Sequence, residues 1–267
     1  MRGVPAGVAL AAGLLLGLLT ACQPRPAGTP APPPALTAHP PTATAGAQPT
    51  APSGDAESHL ALLPAFRDEA AALPEAARYA ITVTLQEWSG DLLGESRIVY
   101  TNTETTPLEH LVLRLYPNLP GQDAGVELHN VQVNDRPTEP TLCSMGTAAR
   151  LPLAAPLPPG QSATLTFDFV TRVPGENARG YGAFGVRDDT WTLAGFYPMV
   201  AVFDHAGWDE QVPAPYGDMT YSDVAFYQVT ATLPAEYTVA ATGTLVEKRC
   251  RLETCAWRSE SGPVRDF

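Results

Sequence analysis

The sequence is short of the side chains that most often carry chemistry. Only five of its 267 residues are histidines (His39, His59, His110, His129 and His205), and none of them opens the zinc-binding pattern HExxH. No serine lies in GxSxG, so the nucleophile elbow of an α/β-hydrolase is excluded. The four cysteines are not spaced CxxC and have no histidine close in sequence, which argues against a structural zinc site. Basic residues are outnumbered, 16 against 28 acidic ones, and the net charge of −12 speaks against nucleic acid as a partner and against docking on anionic lipid. No internal repeat is present, and no nucleophile stands beside a base.

What is there begins with a leader. Residues 1–21 carry one basic residue, Arg2, and then an apolar run from Val4 to Leu19, about the length of a signal-peptide core and short for a membrane span. The run ends Leu19-Thr20-Ala21-Cys22, which resembles a bacterial lipobox. On that reading cleavage falls before Cys22 and its thiol is lipidated; the alternatives are a plain signal peptide cut elsewhere or an uncleaved anchor. Two or more acyl chains give stable anchoring. The chain is therefore expected in the cell envelope, lipid-anchored to a membrane and facing away from the cytoplasm. Residues 22–56 are dominated by Pro, Ala and Thr without an apolar period, the composition of an extended tether that packs no core.

Residues 57–78 read as a helical lead-in. Leu60, Leu62, Leu63, Phe66, Ala70 and Leu73 recur mostly at intervals of three and four, but Pro64 and Pro74 limit it to short helices. From residue 79 the period changes to two. Tyr79, Ile81, Val83 and Leu85 alternate with polar positions, and Glu95–Asn102 continues after the break Ser89-Gly90-Asp91, which predicts a hairpin. The same logic predicts strands near His110–Tyr116, Val126–Val133, Gln161–Val170, Val224–Leu233 and Tyr237–Val246. Many short strands with turn signals between them define an all-β fold, an antiparallel sandwich or saddle-shaped sheet over 79–267. Outside the cytoplasm Cys250 and Cys255, flanking the turn Arg251–Thr254, are the candidate disulfide pair. Cys143 is then an odd thiol, expected to be buried.

Two loops invite sharper readings. Phe203–Glu210 gathers His205 with Asp204, Asp209 and Glu210, but a metal needs at least three converging ligands, and an exposed acidic loop pinned by Trp208 is the plainer account. Gly180–Gly185 is glycine-rich, yet no helix follows to present amides to a phosphate, so it reads as a flexible loop.

Several of these stretches fit one family. Phe196-Tyr197-Pro198, the acidic Trp loop Phe203–Glu210, Tyr221-Ser222-Asp223 and Pro234–Tyr237 leading into Val239–Leu245 resemble the amino-terminal β-domain of aminopeptidase-N-like zinc metallopeptidases, the gluzincins. Leu115-Tyr116-Pro117-Asn118, Leu157–Gly160 and the final Val264-Arg265-Asp266-Phe267 support the match. The resemblance implies a non-catalytic front portion whose partner is a catalytic domain of the same full-length protein. That domain would hold zinc and cleave peptide substrates, and no catalytic or metal-binding residue falls in this chain. It further implies that Phe196, Tyr197 and Trp208 lie at an interdomain interface, and that the chain is interrupted at Phe267, with apolar surface exposed there. The pattern departs from the family at Leu193–Pro198, where no Gln is present to hold a substrate amine. The rival reading is a free-standing surface lipoprotein whose sandwich binds a protein or ligand.

Overall fold

The computed structural model of the chain describes residues 61–175, 184–214 and 220–267. The leader, Cys22, the tether and Gly180–Ala183 lie outside the described residues. The lead-in is a 3₁₀ helix over Pro64–Ala72, a tighter form than the expected α-helical turns. Pro74, just past its end, keeps it short.

Strands follow one another from there to the end. They are β1 (Ala77–Gln86), β2 (Asp91–Thr101), β3 (Leu108–Arg114), β4 (Gly125–Val133), β5 (Arg136–Pro137), β6 (Thr141–Cys143), β7 (Ala148–Leu157) and β8 (Ser162–Arg172). Then come β9 (Phe184–Arg187), β10 (Thr190–Leu193), β11 (Met199–Val200), β12 (Phe203–Asp204), β13 (Gly207–Trp208), β14 (Ala225–Pro234), β15 (Thr244–Arg251) and β16 (Thr254–Val264). One sheet runs β15-β16-β14-β1-β2-β8-β4-β5 and a second runs β11-β3-β7-β6, with β9–β10 and β12–β13 as separate hairpins. The two sheets share one core. Tyr79, Ile81 and Val83 of β1, Leu165, Phe167 and Phe169 of β8, and Tyr227 of β14 meet Leu111 and Leu113 of β3, Leu151 of β7 and Met199 of β11. The alternation read from the sequence thus puts one face of each strand into an all-β sandwich.

Three details differ from the expected strand pattern. The central pair β1–β14 is parallel, from Ala77↔Ala225 to Thr84↔Thr232, because the chain passes through the small sheet and re-enters from the same end. β15 starts at Thr244 rather than Tyr237. Just before it stands Gly243, at φ +87°, where any Cβ would run into the Glu260 carbonyl, so the entry to the strand needs glycine. Strand β7 carries Pro152 and Pro156, which hide it from a periodicity reading. Both lie past the short β6 partner, where β7 has an open edge, and Pro152 falls opposite His110 beside a register shift.

Candidate functional site

The segments that carry the family resemblance converge on a knot of three buried tyrosines. Tyr79 stacks on Tyr227 at 4.7 Å between ring centres, and Tyr197 meets both rings edge-on at 6.1 and 5.8 Å. Phe196 packs edge-on against Tyr197 at 5.0 Å. Each hydroxyl has a backbone partner: the Val200 N–H donates to Tyr79 Oη at 3.0 Å, the Phe267 N–H donates to Tyr197 Oη at 3.0 Å, and Tyr227 donates to the Arg265 carbonyl at 3.3 Å. Burial pushes all three phenols well above their ordinary range, so they act as neutral hydrogen-bonding posts and not as acids.

Tyr221-Ser222-Asp223 joins the same knot. Ser222 Oγ donates to the Arg265 carbonyl at 2.7 Å, and Arg265 Nη1 returns a bond to the Ser222 carbonyl at 2.7 Å. Tyr116, from the Leu-Tyr-Pro-Asn step, takes the Tyr221 N–H at 2.9 Å and donates to the Tyr221 carbonyl at 3.1 Å. Asp223 is exposed, yet desolvation on its inner side raises its carboxyl above the usual range against the pull of Arg265.

A second constellation holds the acidic Trp loop to the outer face of the small sheet. Arg114 is 1% exposed; its Nη1 donates to the Asp209 carbonyl at 2.9 Å and its Nη2 to the Gln211 carbonyl at 2.6 Å. Its guanidinium lies 5.4 Å from the Tyr116 ring centre, and the Asp209 carboxylate is 3.7 Å from Nη1. Arg150, opposite Val112 across β3–β7, forks onto both oxygens of Glu210, which holds that carboxyl below its ordinary range. Trp208 closes the loop edge-on against Phe203 at 5.2 Å, with Tyr100 and His110 beside it. Beneath lie Val112, Ala148 and Ala201, all buried.

This geometry separates the loop's candidate ligands. Asp204 caps its own turn by accepting the Ala206 N–H and has only the exposed His205 beside it, Nδ1 at 3.8 Å, while Asp209 faces Arg114 and Glu210 is spent on Arg150. No group of three or more His, Cys, Asp or Glu among the described residues could hold a metal. A zinc ion therefore does not fit the residues described, and no chemical step through one can be assigned to them.

Phe196 and Tyr197 require a correction. They are not exposed aromatics awaiting a partner but core residues, 6% and 0% exposed, because the step between β10 and β11 turns both rings inward onto Phe169, Tyr79 and Tyr227. Trp208 is half-buried by its own loop. Val264 and Phe267 are likewise partly covered, Phe267 lying 6.1 Å from the Tyr227 ring centre. Cys250 and Cys255 are paired residues of the β15–β16 hairpin and form a disulfide. Cys143 is half-exposed rather than buried, since β6 is the edge strand of the small sheet; it packs partly against Val112, Ala148 and Ala201, and desolvation still raises its thiol. Sequence reasoning missed Arg114 and Arg150. The signal for the first was a lone charge inside Leu111-Val112-Leu113-Arg114-Leu115, which needs a buried partner.

The class defined by the fold is a two-sheet all-β domain. No family model and no curated protein matches the chain. Among solved structures it is similar to an M1 zinc metallopeptidase from Deinococcus radiodurans, at 19% identity and a TM-score of 0.47, over 72% of this chain and 40% of that one. It is also similar to a mutant of that enzyme bound to a Tyr-Ser-Ala substrate, at 18% identity and 0.47, and to a mutant two-domain M1 zinc metallopeptidase bound to L-arginine, at 17% and 0.46; the coverages are the same. The chain thus spans about two fifths of the length of these structures.

Proposed function

We propose that this chain is the non-catalytic front portion of a membrane-anchored zinc metallopeptidase of aminopeptidase type, with peptide hydrolysis carried out by a further domain of the full-length protein. The observation that carries the reading is the convergence of its family-like segments. Phe196-Tyr197, Ser222-Asp223 and Arg265–Phe267 lie far apart in sequence yet are bonded into one knot. Zinc, its ligands and the general base would belong to the further domain, and this one would pack against it and shape one wall of the cleft. The lipobox at Leu19–Cys22 would tether the assembly outside the cytoplasm, with a phospholipid bilayer as its second partner.

The rival reading, a free-standing surface lipoprotein that binds a protein or ligand, draws on a different observation. Phe196 and Tyr197 are satisfied inside the domain's own core and ask for no partner. Extending the gene's reading frame past Phe267 separates the two. An HExxH with a downstream Glu supports the peptidase, and a stop codon in an intact gene supports the lipoprotein. In solution, chelator-sensitive cleavage of aminoacyl-arylamides should come from the full-length product and be absent from this chain alone. Cleavage by the chain alone would sink the division of labour.

A further inference from the structure

One end of the large sheet is a detour of the chain. Strands β14 and β16 are direct neighbours, paired from Ala225↔Val264 to Pro234↔Thr254, and the Ala235 N–H donates to the Glu253 carbonyl just beyond that last pair. A short turn would close the two strands there. Instead residues 235–253 run back along the far side of β16, where β15 is added as the outermost strand. None of the eight residues of β15 is buried.

A strand that buries nothing rests on its ladder and on surface contacts. The ladder to β16 is interrupted by a register shift between Leu245 and Glu247. Across to β16, Glu247 lies 3.9 Å from Arg258 on one face, and Lys248 Nζ sits 3.9 Å over the Trp257 ring on the other. Partly exposed ties of this kind contribute little. The turn works against them. Leu252 is wholly exposed and holds φ +51°, a left-handed conformation that Gly, Asn or Asp adopts more readily. To these a covalent tie is added, because Cys250 and Cys255 face each other in the ladder and are bridged. Cys250 is exposed and Cys255 is only 2% exposed, so an attacking thiol reaches the Cys250 sulfur first.

We propose that the Cys250–Cys255 bridge is a redox latch on β15. Oxidised, it keeps the strand on the sheet; reduced, it lets β15 lift from β16 while β14, β16 and the rest of the sandwich stay folded. The reductant is an external dithiol. One of its thiolates attacks Cys250 Sγ, the bond to Cys255 Sγ breaks, and the departing Cys255 thiolate takes a proton. The second thiol of the reagent then displaces Cys250, which leaves as a thiol, and the reagent departs as a disulfide. The two electrons and two protons gained by the protein are those the dithiol loses. Lifting removes no buried side chain of β15 from the core and relaxes Leu252. It bares the ladder groups on the far side of β16 and the Trp257 ring under Lys248. The bridge spans a sequence separation of only 5, so it constrains the unfolded chain less than a long-range bridge would, and its main effect falls on the strand.

The test uses the full chain with Cys22→Ser and Cys143→Ser, which leaves Cys250 and Cys255 as its cysteines. Trypsin reads the latch, since Lys248 and Arg249 lie in the middle of β15 and Arg258 lies in β16. The oxidised chain should resist cutting at Lys248 and Arg249. After dithiothreitol, with both thiols confirmed by titration, it should be cut there at least about tenfold faster while Arg258 is still spared. Amide exchange should quicken over Thr244–Arg251 alone, and the melting temperature should fall by less than about 10 °C. A variant that adds Cys250→Ala and Cys255→Ala should be cut like the reduced parent and should ignore dithiothreitol. Unchanged protection of Lys248 and Arg249 after reduction overturns the proposal, because the ladder alone would then hold the strand. So does a bridge that dithiothreitol fails to open. Cutting at Arg258 along with the β15 sites, or loss of the melting transition, overturns it too, since the bridge would then staple the whole sandwich.

Discussion

Arg114 shows what one charge can do inside an apolar layer. A guanidinium taken out of water needs partners for its donors: two loop carbonyls take Nη1 and Nη2 and a carboxylate lies beside them, while the buried Nε has no hydrogen-bond partner among the described residues. Arg114→Ala leaves those carbonyls buried without a donor and should cost about 3–5 kcal/mol in urea unfolding. Arg114→Lys keeps the charge but cannot fork onto both carbonyls, and should recover only part of that loss. Glu210 supplies a pH signal with a definite sign. Arg150 holds its folded-state carboxyl below the ordinary glutamate value, so its contribution is complete above about pH 4.3 and is lost as pH falls through the depressed value. Emission from Trp208 should therefore report release of the loop only below the ordinary glutamate range. In Arg150→Gln that release should move up toward the ordinary glutamate range; an unmoved midpoint would show that the fork does not hold the loop.

At the scale of elements, the centre of the large sheet depends on a missing side chain. Gly94 of β2 lies opposite Phe169 of β8, and the phenyl ring folds across the space a Cβ would fill. Gly94→Ala should force Phe169 out of its rotamer and cost about 1–3 kcal/mol, with Phe169→Leu relieving part of the strain in a double-mutant cycle. Gly160→Ala is the control. No atom lies within 4 Å of its added Cβ, and only the φ of +70° opposes it, so its cost should be independent of position 169. Strand faces of this kind were legible beforehand, because alternation in β1, β2 and β8 is a local property. The parallel partner of β1 was not, since nothing within Ala77–Gln86 marks the direction from which a neighbour about 150 residues later will arrive.

For the whole molecule, the tyrosine knot ties the last residues to the first strand and to the centre of the chain. Tyr197→Phe removes the acceptor for the Phe267 N–H and should cost about 1–2 kcal/mol, with faster amide exchange concentrated at Arg265–Phe267. Exchange that quickens evenly across the sandwich would mean the tyrosine serves the core as a whole rather than the tail. The sequence by itself determined the all-β class, the faces of most long strands, the hairpin that brings Cys250 beside Cys255, and the lack of an HExxH zinc motif. Each depends on residue type, spacing or composition within a short window. Only the tertiary structure decided that Phe196 and Tyr197 point inward, that the acidic loop spends its carboxylates on its own turn and two arginines, and that the tail closes on Tyr197. Most of those outcomes rest on contacts between residues far apart in sequence, such as Arg150 with Glu210, 60 positions away, and Val200 with Tyr79, 121 away, whose energies are set by burial that no local pattern records.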